Sequence, residues 1–554
     1  MSLFDKHQAL LNQAVHAAKT REYWAAFPEN PSPKIYGETA QADGQAAAEA
    51  YFGKDFPLQQ SGTRGWVATE QSPYGVALEV RYPDVAPQDL VAAAQAAEPG
   101  WQALGAKGRT GVLLEALARI HQRTHEITHA VLLTSGQGPM MAFQAGGPHA
   151  QDRALEAIAY AWMAQADVPA SAHWEKPQGK NPPLVMQKHF EVVGRGIGLV
   201  IGCATFPTWN TYPGLFASLA TGNPVIVKPH PNAVLPMAIT IAILRSVLQE
   251  QGLDPNVVQL GLCPNNADTQ ALAADPAVAL IDFTGSTAFG HWLRDNAKQA
   301  RLYAEMAGVN TVILESTDDY AATMKNLAFT LALYSGQMCT TTQNILIPQD
   351  GIASNEGHKS FEQVGQDLGA ALDALLADPR VATAVLGAIA SPATAERVAA
   401  AAKNGKVVHA SQKVAHPQFP NAVLQTPLLV ALTEADSAIY NQECFGPVAY
   451  LVAVKDAAAA LAVAQKTLRE EGALTLGLYS QHASYIDQVV QLSLRGKVAL
   501  SVNLTQGIYV NQSAAFSDFH ATGGNPAANA SYSNLAFVAD RFVIVQRRAH
   551  VHAL

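Results

Sequence analysis

The apolar and polar positions of the chain alternate in two regimes, one helical and one of strand followed by helix. In the first 50 residues Leu10, Leu11, Val15 and Ala18 recur at helical spacing before a glycine- and polar-rich passage, which predicts an N-terminal extension packed on the main body. From Pro87, with Asp89 in the first turn, DLVAAAQAAEPGWQALG opens a helical region. GVLLEALARIHQRTHEITHAVLLTS continues it to the GQGP break, and QDRALEAIAYAWMAQA adds another helix. Beyond the proline-containing EKPQGKNPP, alternation in LVMQKHFEVVGR predicts an exposed strand or hairpin, and GIGLVIGCATF a buried parallel strand.

Strand-then-helix units recur from there: PVIVKP with AVLPMAITIAILRSVLQEQG, VVQLGLCP with NADTQALAA, and VALIDFTGS with TAFGHWLRDNAKQA. Such alternation predicts a doubly wound α/β sheet, whose ligands bind beyond the carboxyl ends of the strands. The loops after Val227 and Phe283 are therefore expected at a cofactor cleft. A second series, from TVILEST to KVALSVN, predicts a second α/β lobe that carries the chemistry. RFVIVQRRAHV, near the C-terminus, is short and charged, a poor core strand and a candidate for pairing with another subunit.

Composition narrows the classes. The 554 residues are 49% hydrophobic and 15% charged, enough apolar material for a large core and two or three lobes. A net charge of -9 offers no basic face for a phosphate backbone, so nucleic acid is not an expected partner. The opening MSLFDKHQALLNQAVHAAKTREYW carries charges throughout and lacks the apolar core of a signal peptide. No stretch reaches the roughly 18 apolar residues of a membrane span. A cytoplasmic protein with no membrane partner is expected. The four cysteines, Cys203, Cys263, Cys339 and Cys444, lack CxxC spacing, so neither a disulfide framework nor a metal site is expected.

Chemistry concentrates in two segments. In LYSGQMCTTTQN, Cys339 follows Ser335 and Gly336 at the expected start of a helix or tight turn, where backbone N–H groups lower a thiol's pKa and hold an oxyanion. Glu305, in LYAEMAGVN ahead of the Ala307–Gly308 turn, is the carboxylate that would activate water against a thioester on that cysteine. Alone, a cysteine is among the most commonly buried residue types, and a glutamate is ordinarily a solvated charge. The order FTGSTAFG, EMAGVN, SGQMC and ECFGPV changes that balance: over roughly residues 85 to 550 the chain resembles the aldehyde dehydrogenase superfamily.

The resemblance implies an α/β aldehyde dehydrogenase-like fold. Residues 1–168 and 197–306 would form a Rossmann-like cofactor domain, with 1–50 its extension, and 307–515 an α/β catalytic domain. Residues 169–196 and 516–554 would form a small oligomerisation arm and C-terminal tail. It further implies that Thr284, Gly285, Ser286 and Gly290 meet the cofactor pyrophosphate and nicotinamide at a helix N-terminus. Glu443 would hold the nicotinamide ribose, with Phe445 beside the ring. Lys228 matches the lysine that reaches the adenine ribose. Pro231 stands where NAD-preferring relatives often have a glutamate, so a 2′-phosphate would not be repelled; NADP, with Lys228 and His230 as charge partners, is expected ahead of NAD.

Asn210, in FPTWNTYP, is the expected oxyanion-hole asparagine, although the run to Lys228 is shorter than usual and leaves Thr205 to Pro207 as the alternative. Cys339 would form a thioester from an aldehyde, and Glu305 would drive its hydrolysis to a carboxylic acid. GCATFPTWN, PGLFASLATGNPVIVKPHP, EMAGVN and SDFHATGGNP resemble the PaaN-type phenylacetic acid degradation proteins, which implies a CoA-linked semialdehyde substrate. Phe206, Trp209, Tyr212 and Phe516 are aromatic candidates for the cleft. A homo-oligomer, dimer or tetramer, is also implied. Two rival readings are a catalytically silent scaffold of the same fold and a cysteine hydrolase; the latter needs a histidine beside the thiol, and none of the 17 adjoins Cys339 in sequence.

Overall fold

Ser2 accepts a hydrogen bond from the Asp5 N–H and starts the helix Leu3–Thr20, which buries Phe4, Leu11, Ala14 and Ala18. That face lies on the helices Gly105–Gln122 and Ala150–Ala166, so the N-terminal extension shares one core with the body. The computed structural model describes residues 1–306 and 308–551. Ala307, expected in the turn after Glu305, and the last three positions of the tail lie outside the described residues.

The first sheet is wholly parallel and runs Val258–Leu260, Val225–Lys228, Ile197–Ile201, Val278–Thr284, Arg301–Glu305. The first strand in sequence is central, and the order reverses between Ile197–Ile201 and Val278–Thr284. This is the switch point beyond which ligands bind in open α/β sheets. The loops GCATFPTWN and GSTAFG open there. The strands are continuous apolar runs because helices cover both faces of the sheet.

The second sheet has seven strands, ordered Lys406–His409, Leu428–Thr433, Val448–Val454, Asn344–Pro348, Thr311–Leu314, Thr475–Tyr479, Ala499–Val502. Only Lys406–His409 runs antiparallel to its neighbour. Separate hydrophobic clusters pack its two faces.

The third sheet is built from segments far apart in sequence. Phe542–His550 pairs along its length with Asn181–Gly194 of the same chain, from Phe542 opposite Gly194 to His550 opposite Met186, and Ser171–Gln178 closes the other side. The charged terminal strand thus has one neighbour within the chain, and Arg541 anchors its start. The guanidinium donates to both Asp282 carboxylate oxygens at 2.7 and 2.6 Å and to Ser218 Oγ at 2.8 Å, all buried. Residues 516–534, ahead of this strand, run back over the first sheet: the Ala304 N–H donates to Asn529 Oδ1 and the Met306 N–H to the Ala527 carbonyl, both at 2.7 Å. Phe516 and Tyr532 are buried in the core of the first lobe. Among the described residues, no helix is long and apolar enough to cross a membrane.

Candidate active site

Glu305 ends the edge strand of the first sheet, in register with Thr284, and its carbonyl accepts from the Gly285 N–H at 3.1 Å. The sheet therefore sets the carboxylate beside the glycine-rich turn. Ser286 caps the helix Thr287–Asn296 by accepting from the Phe289 N–H. A side chain at Gly285 would meet the Phe283 ring at 2.8 Å, and one at Gly290 would strike Met306, so both glycines keep this turn low and open.

Cys339 arrives from the other lobe by a different device. The helix Tyr320–Ala332, capped by Asp319, ends and is followed by Tyr334, Ser335 and Gly336, all left-handed with φ of 53°, 50° and 64°. Two non-glycine residues in that region are costly and need anchors. Tyr334 Oη donates to the Ser135 carbonyl at 2.6 Å, and Ser335 Oγ to that of Gly387 at 3.0 Å. Any side chain at Gly336 would run into the Gly446 carbonyl, which locks this loop to ECFGPV.

Cys339 thus occupies a turn beyond a helix's C-terminal end, not a helix start, and the expected lowering of its thiol is reversed. Burial, and then the negative charge of Glu305, push it well above the usual thiol value. The sulfur, a Glu305 oxygen and a His520 ring nitrogen lie within 4.8 Å of one another.

Asn210 precedes the helix Thr211–Ala220 without capping it by its side chain. Cys203 Sγ donates to its Oδ1 at 3.5 Å, while Nδ2 is buried and unpartnered. Buried amide donors are ordinarily paired, so a free one is available to a ligand. Asn210 and Cys339 both line one cavity of about 570 Å³, walled by Phe206, Trp209 and Met338. Tyr212 and Phe516, the other two aromatic candidates, are core residues without exposure.

The remaining positions lie outside that cavity's lining. Burial raises the Glu443 carboxyl to about 7 against the pull of Arg397. Its charge reaches Cys339. The adjacent Phe445 carbonyl accepts from Arg397 Nε at 3.1 Å. Lys228, His230 and Pro231 lie at the end of the Val225–Lys228 strand, on the Cys263 side, away from the sulfur. Burial, and then the Lys228 charge, draw His230 down to about 4, and its Nδ1 accepts from the Asn232 N–H. Burial thus opposes the charged form of this ring.

Residues 82–533 match the family model described as the aldehyde dehydrogenase family. The chain belongs to the aldehyde dehydrogenase family. A solved structure described as an NAD-dependent aldehyde dehydrogenase from Burkholderia multivorans is 54% identical, with a TM-score of 0.98 over 100% of this chain and 99% of that one. A 1-pyrroline-5-carboxylate dehydrogenase of Bacillus subtilis (strain 168) is 23% identical over 84% of this chain and 88% of its own length. A vanillin dehydrogenase of Pseudomonas sp. (strain HR199 / DSM 7063) is 27% identical over 65% and 71%. The protein is accordingly an NAD(P)-dependent oxidoreductase acting on aldehydes.

Within this dehydrogenase, three features had no expected role in the sequence. Asn310, the last residue of EMAGVN, holds the cysteine turn through its side chain. His520 is the histidine that folding brings near Cys339, although its hydrogen bond goes to Glu305 rather than to sulfur. Arg21, Tyr23 and Glu29 of the N-terminal extension line the cavity, and Arg21 lies 3.8 Å over the Phe519 ring. SDFHATGGNP stood out as a motif, but a loop histidine 215 residues from its partner leaves no spacing signal.

Proposed function

We propose that this dehydrogenase oxidises its aldehyde through a thioester on Cys339, with Glu305 as the base that hydrolyses it and Asn210 as the oxyanion donor. The convergence of Cys339, Glu305 and the unpartnered Asn210 Nδ2 at one apolar cavity carries this reading. Cys339 sulfur attacks the carbonyl carbon and its proton passes to Glu305. Asn210 Nδ2–H and the Cys339 N–H receive the oxyanion. A bound nicotinamide would supply the hydride acceptor that takes this adduct to the thioester. Glu305 releases the thiol proton to solvent and then, as carboxylate, takes a proton from water as the water oxygen attacks the thioester; the C–S bond breaks, that proton passes to sulfur, and the acid leaves.

The cofactor's holders are read as Ser286 and the free N–H groups at its helix start for the pyrophosphate, and Glu443 and Phe445 for the nicotinamide half. Lys228 serves the adenine ribose. The open Gly285–Gly290 turn supports this fit, since a Cβ at either glycine would collide with its neighbours. With His230 neutral, Lys228 alone would face a 2′-phosphate, and the 54%-identical structure is described as NAD-dependent. We therefore take NAD as the better cofactor in place of NADP.

For the substrate, the PaaN-type resemblance and the aromatic wall of Phe206 and Trp209 support a CoA-linked semialdehyde of phenylacetate catabolism. Residues 542–550 with 171–194 form a three-stranded arm whose outer edges are open for a second copy, which supports a homo-oligomer. The test is the near-ultraviolet absorbance of reduced nicotinamide with NAD or NADP across CoA-linked, aromatic and short aliphatic aldehydes. Cofactor reduction with the CoA-linked semialdehydes is expected. Turnover confined to short aliphatic aldehydes would reject the substrate class, and hydrolysis of esters with no cofactor reduction would reject the dehydrogenase chemistry.

A further inference from the structure

His520 lies at the centre of the returning 516–534 segment, with its Nε2 2.7 Å from Glu305 Oε2. Both side chains are nearly inaccessible, at 4% and 1% exposure. The second carboxylate oxygen, Oε1, is buried and has no hydrogen-bond partner. Trp209 meets the imidazole edge-on at 4.6 Å and Tyr532 stacks at 5.9 Å, so the ring is wedged between two aromatics. The Ser533 Oγ accepts from the His520 N–H at 3.0 Å and fixes the backbone beneath it. Arg153 stands behind Trp209, 5.5 Å over that ring, and is neutralised by Glu156.

We propose that His520 is a positioning residue for deacylation: it occupies Oε2 of Glu305 and thereby leaves Oε1 as the single proton acceptor facing the thioester. The proposal rests on Glu305 being the base. In the hydrolytic step a water O–H bond breaks and its proton moves to Oε1, while the water oxygen bonds the thioester carbon. As the C–S bond breaks, the Oε1 proton passes to sulfur, restoring carboxylate and thiol. The His520–Oε2 hydrogen bond persists throughout, so no co-reactant is needed. A carboxylate with one oxygen tied and one free reacts in a single orientation, whereas an untied one rotates away, and misplacement of a reacting group by about 1 Å costs on the order of 100-fold in rate.

The groups that act on this pair are known. Cys339, Tyr532 and Cys203 each sense the Glu305 charge, and Tyr532 also packs on the imidazole. Burial drives all three above their usual values, so they stay neutral through the physiological range.

The experiment compares His520→Ala and His520→Gln with the intact enzyme in rapid-mixing kinetics. His520→Ala should keep the first-turnover burst of reduced cofactor and the KM, with steady-state kcat about 100-fold lower. His520→Gln retains a side-chain donor; it should keep the burst and recover kcat to about a tenth of the intact enzyme's. If His520→Ala proves misfolded by thermal scan, the ratio of burst to steady state in His520→Gln decides. A wild-type steady-state kcat in either folded variant would overturn the proposal, as would equal losses of burst and steady state. Glu305→Gln run alongside separates the two readings: if it deacylates normally, the base assignment itself falls.

Discussion

Asn310 Nδ2 donates to the Cys339 carbonyl at 2.8 Å, while its Oδ1 accepts from the N–H groups of Leu474 and Thr475 at 2.9 and 3.0 Å. One buried amide thus pins the nucleophile's turn to a strand of the second sheet, and a second Nδ2 bond reaches the Thr341 carbonyl. Asn310→Ala strands these groups without partners. It should cost on the order of 3 kcal/mol in urea unfolding and reduce kcat more than it raises KM. Wild-type stability would show that the turn holds itself.

The raised thiol of Cys339 has a measurable sign. Because burial and Glu305 oppose the thiolate, inactivation of the free enzyme by iodoacetamide should climb with pH and continue to climb past the usual thiol range. In Glu305→Gln the negative charge is gone, and the same rise should begin at lower pH. A plateau near neutrality in the intact protein would mean that the thiolate is already stabilised at rest.

Asn210 offers the free donor of the cavity. Asn210→Ala should lower kcat by roughly 100- to 1000-fold with little change in KM, since its bond forms as charge develops on oxygen. A KM effect alone, read from initial rates, would place it in ground-state binding.

Arg541 and Asp282 form a buried two-pronged pair between the C-terminal strand and the first sheet. Removing the cation by Arg541→Met leaves Asp282 buried without its partner, a loss of about 3–5 kcal/mol in unfolding free energy. Adding Asp282→Asn should restore part of it. Independent, additive losses in the double variant would contradict direct coupling.

Cys339→Ala should abolish cofactor reduction, and Glu305→Gln should leave one burst and then stall. Steady turnover in Cys339→Ala would refute the nucleophile.

Local regularity made the sheets readable. Ile197–Ile201, Val225–Lys228 and Val278–Thr284 are short apolar runs followed by glycine or proline and then helical spacing, so a doubly wound sheet was legible although its strand order was not. Glu305 and Cys339 could be selected because each sits in a short motif. What stayed hidden depends on long-range return. His520, Asn529 and Arg541 meet residues more than 200 positions away through loop backbone that no periodicity marks. The thiol's sign was misread for a related reason: a helix start and a turn after a helix end look alike in LYSGQMC, and only three successive left-handed residues separate them.

The return of the 516–534 segment also fixes when the enzyme becomes competent during synthesis. A lengthening chain exposes Glu305 215 residues before His520 can join it, and Asp282 259 residues before Arg541 does. Until then the nascent first lobe holds two acidic side chains whose final surroundings do not yet exist. Translation must therefore finish nearly the whole polypeptide before the nucleophile is sealed into its working environment, and ribosome-stalled fragments ending ahead of that segment would be inert however well their sheets had formed.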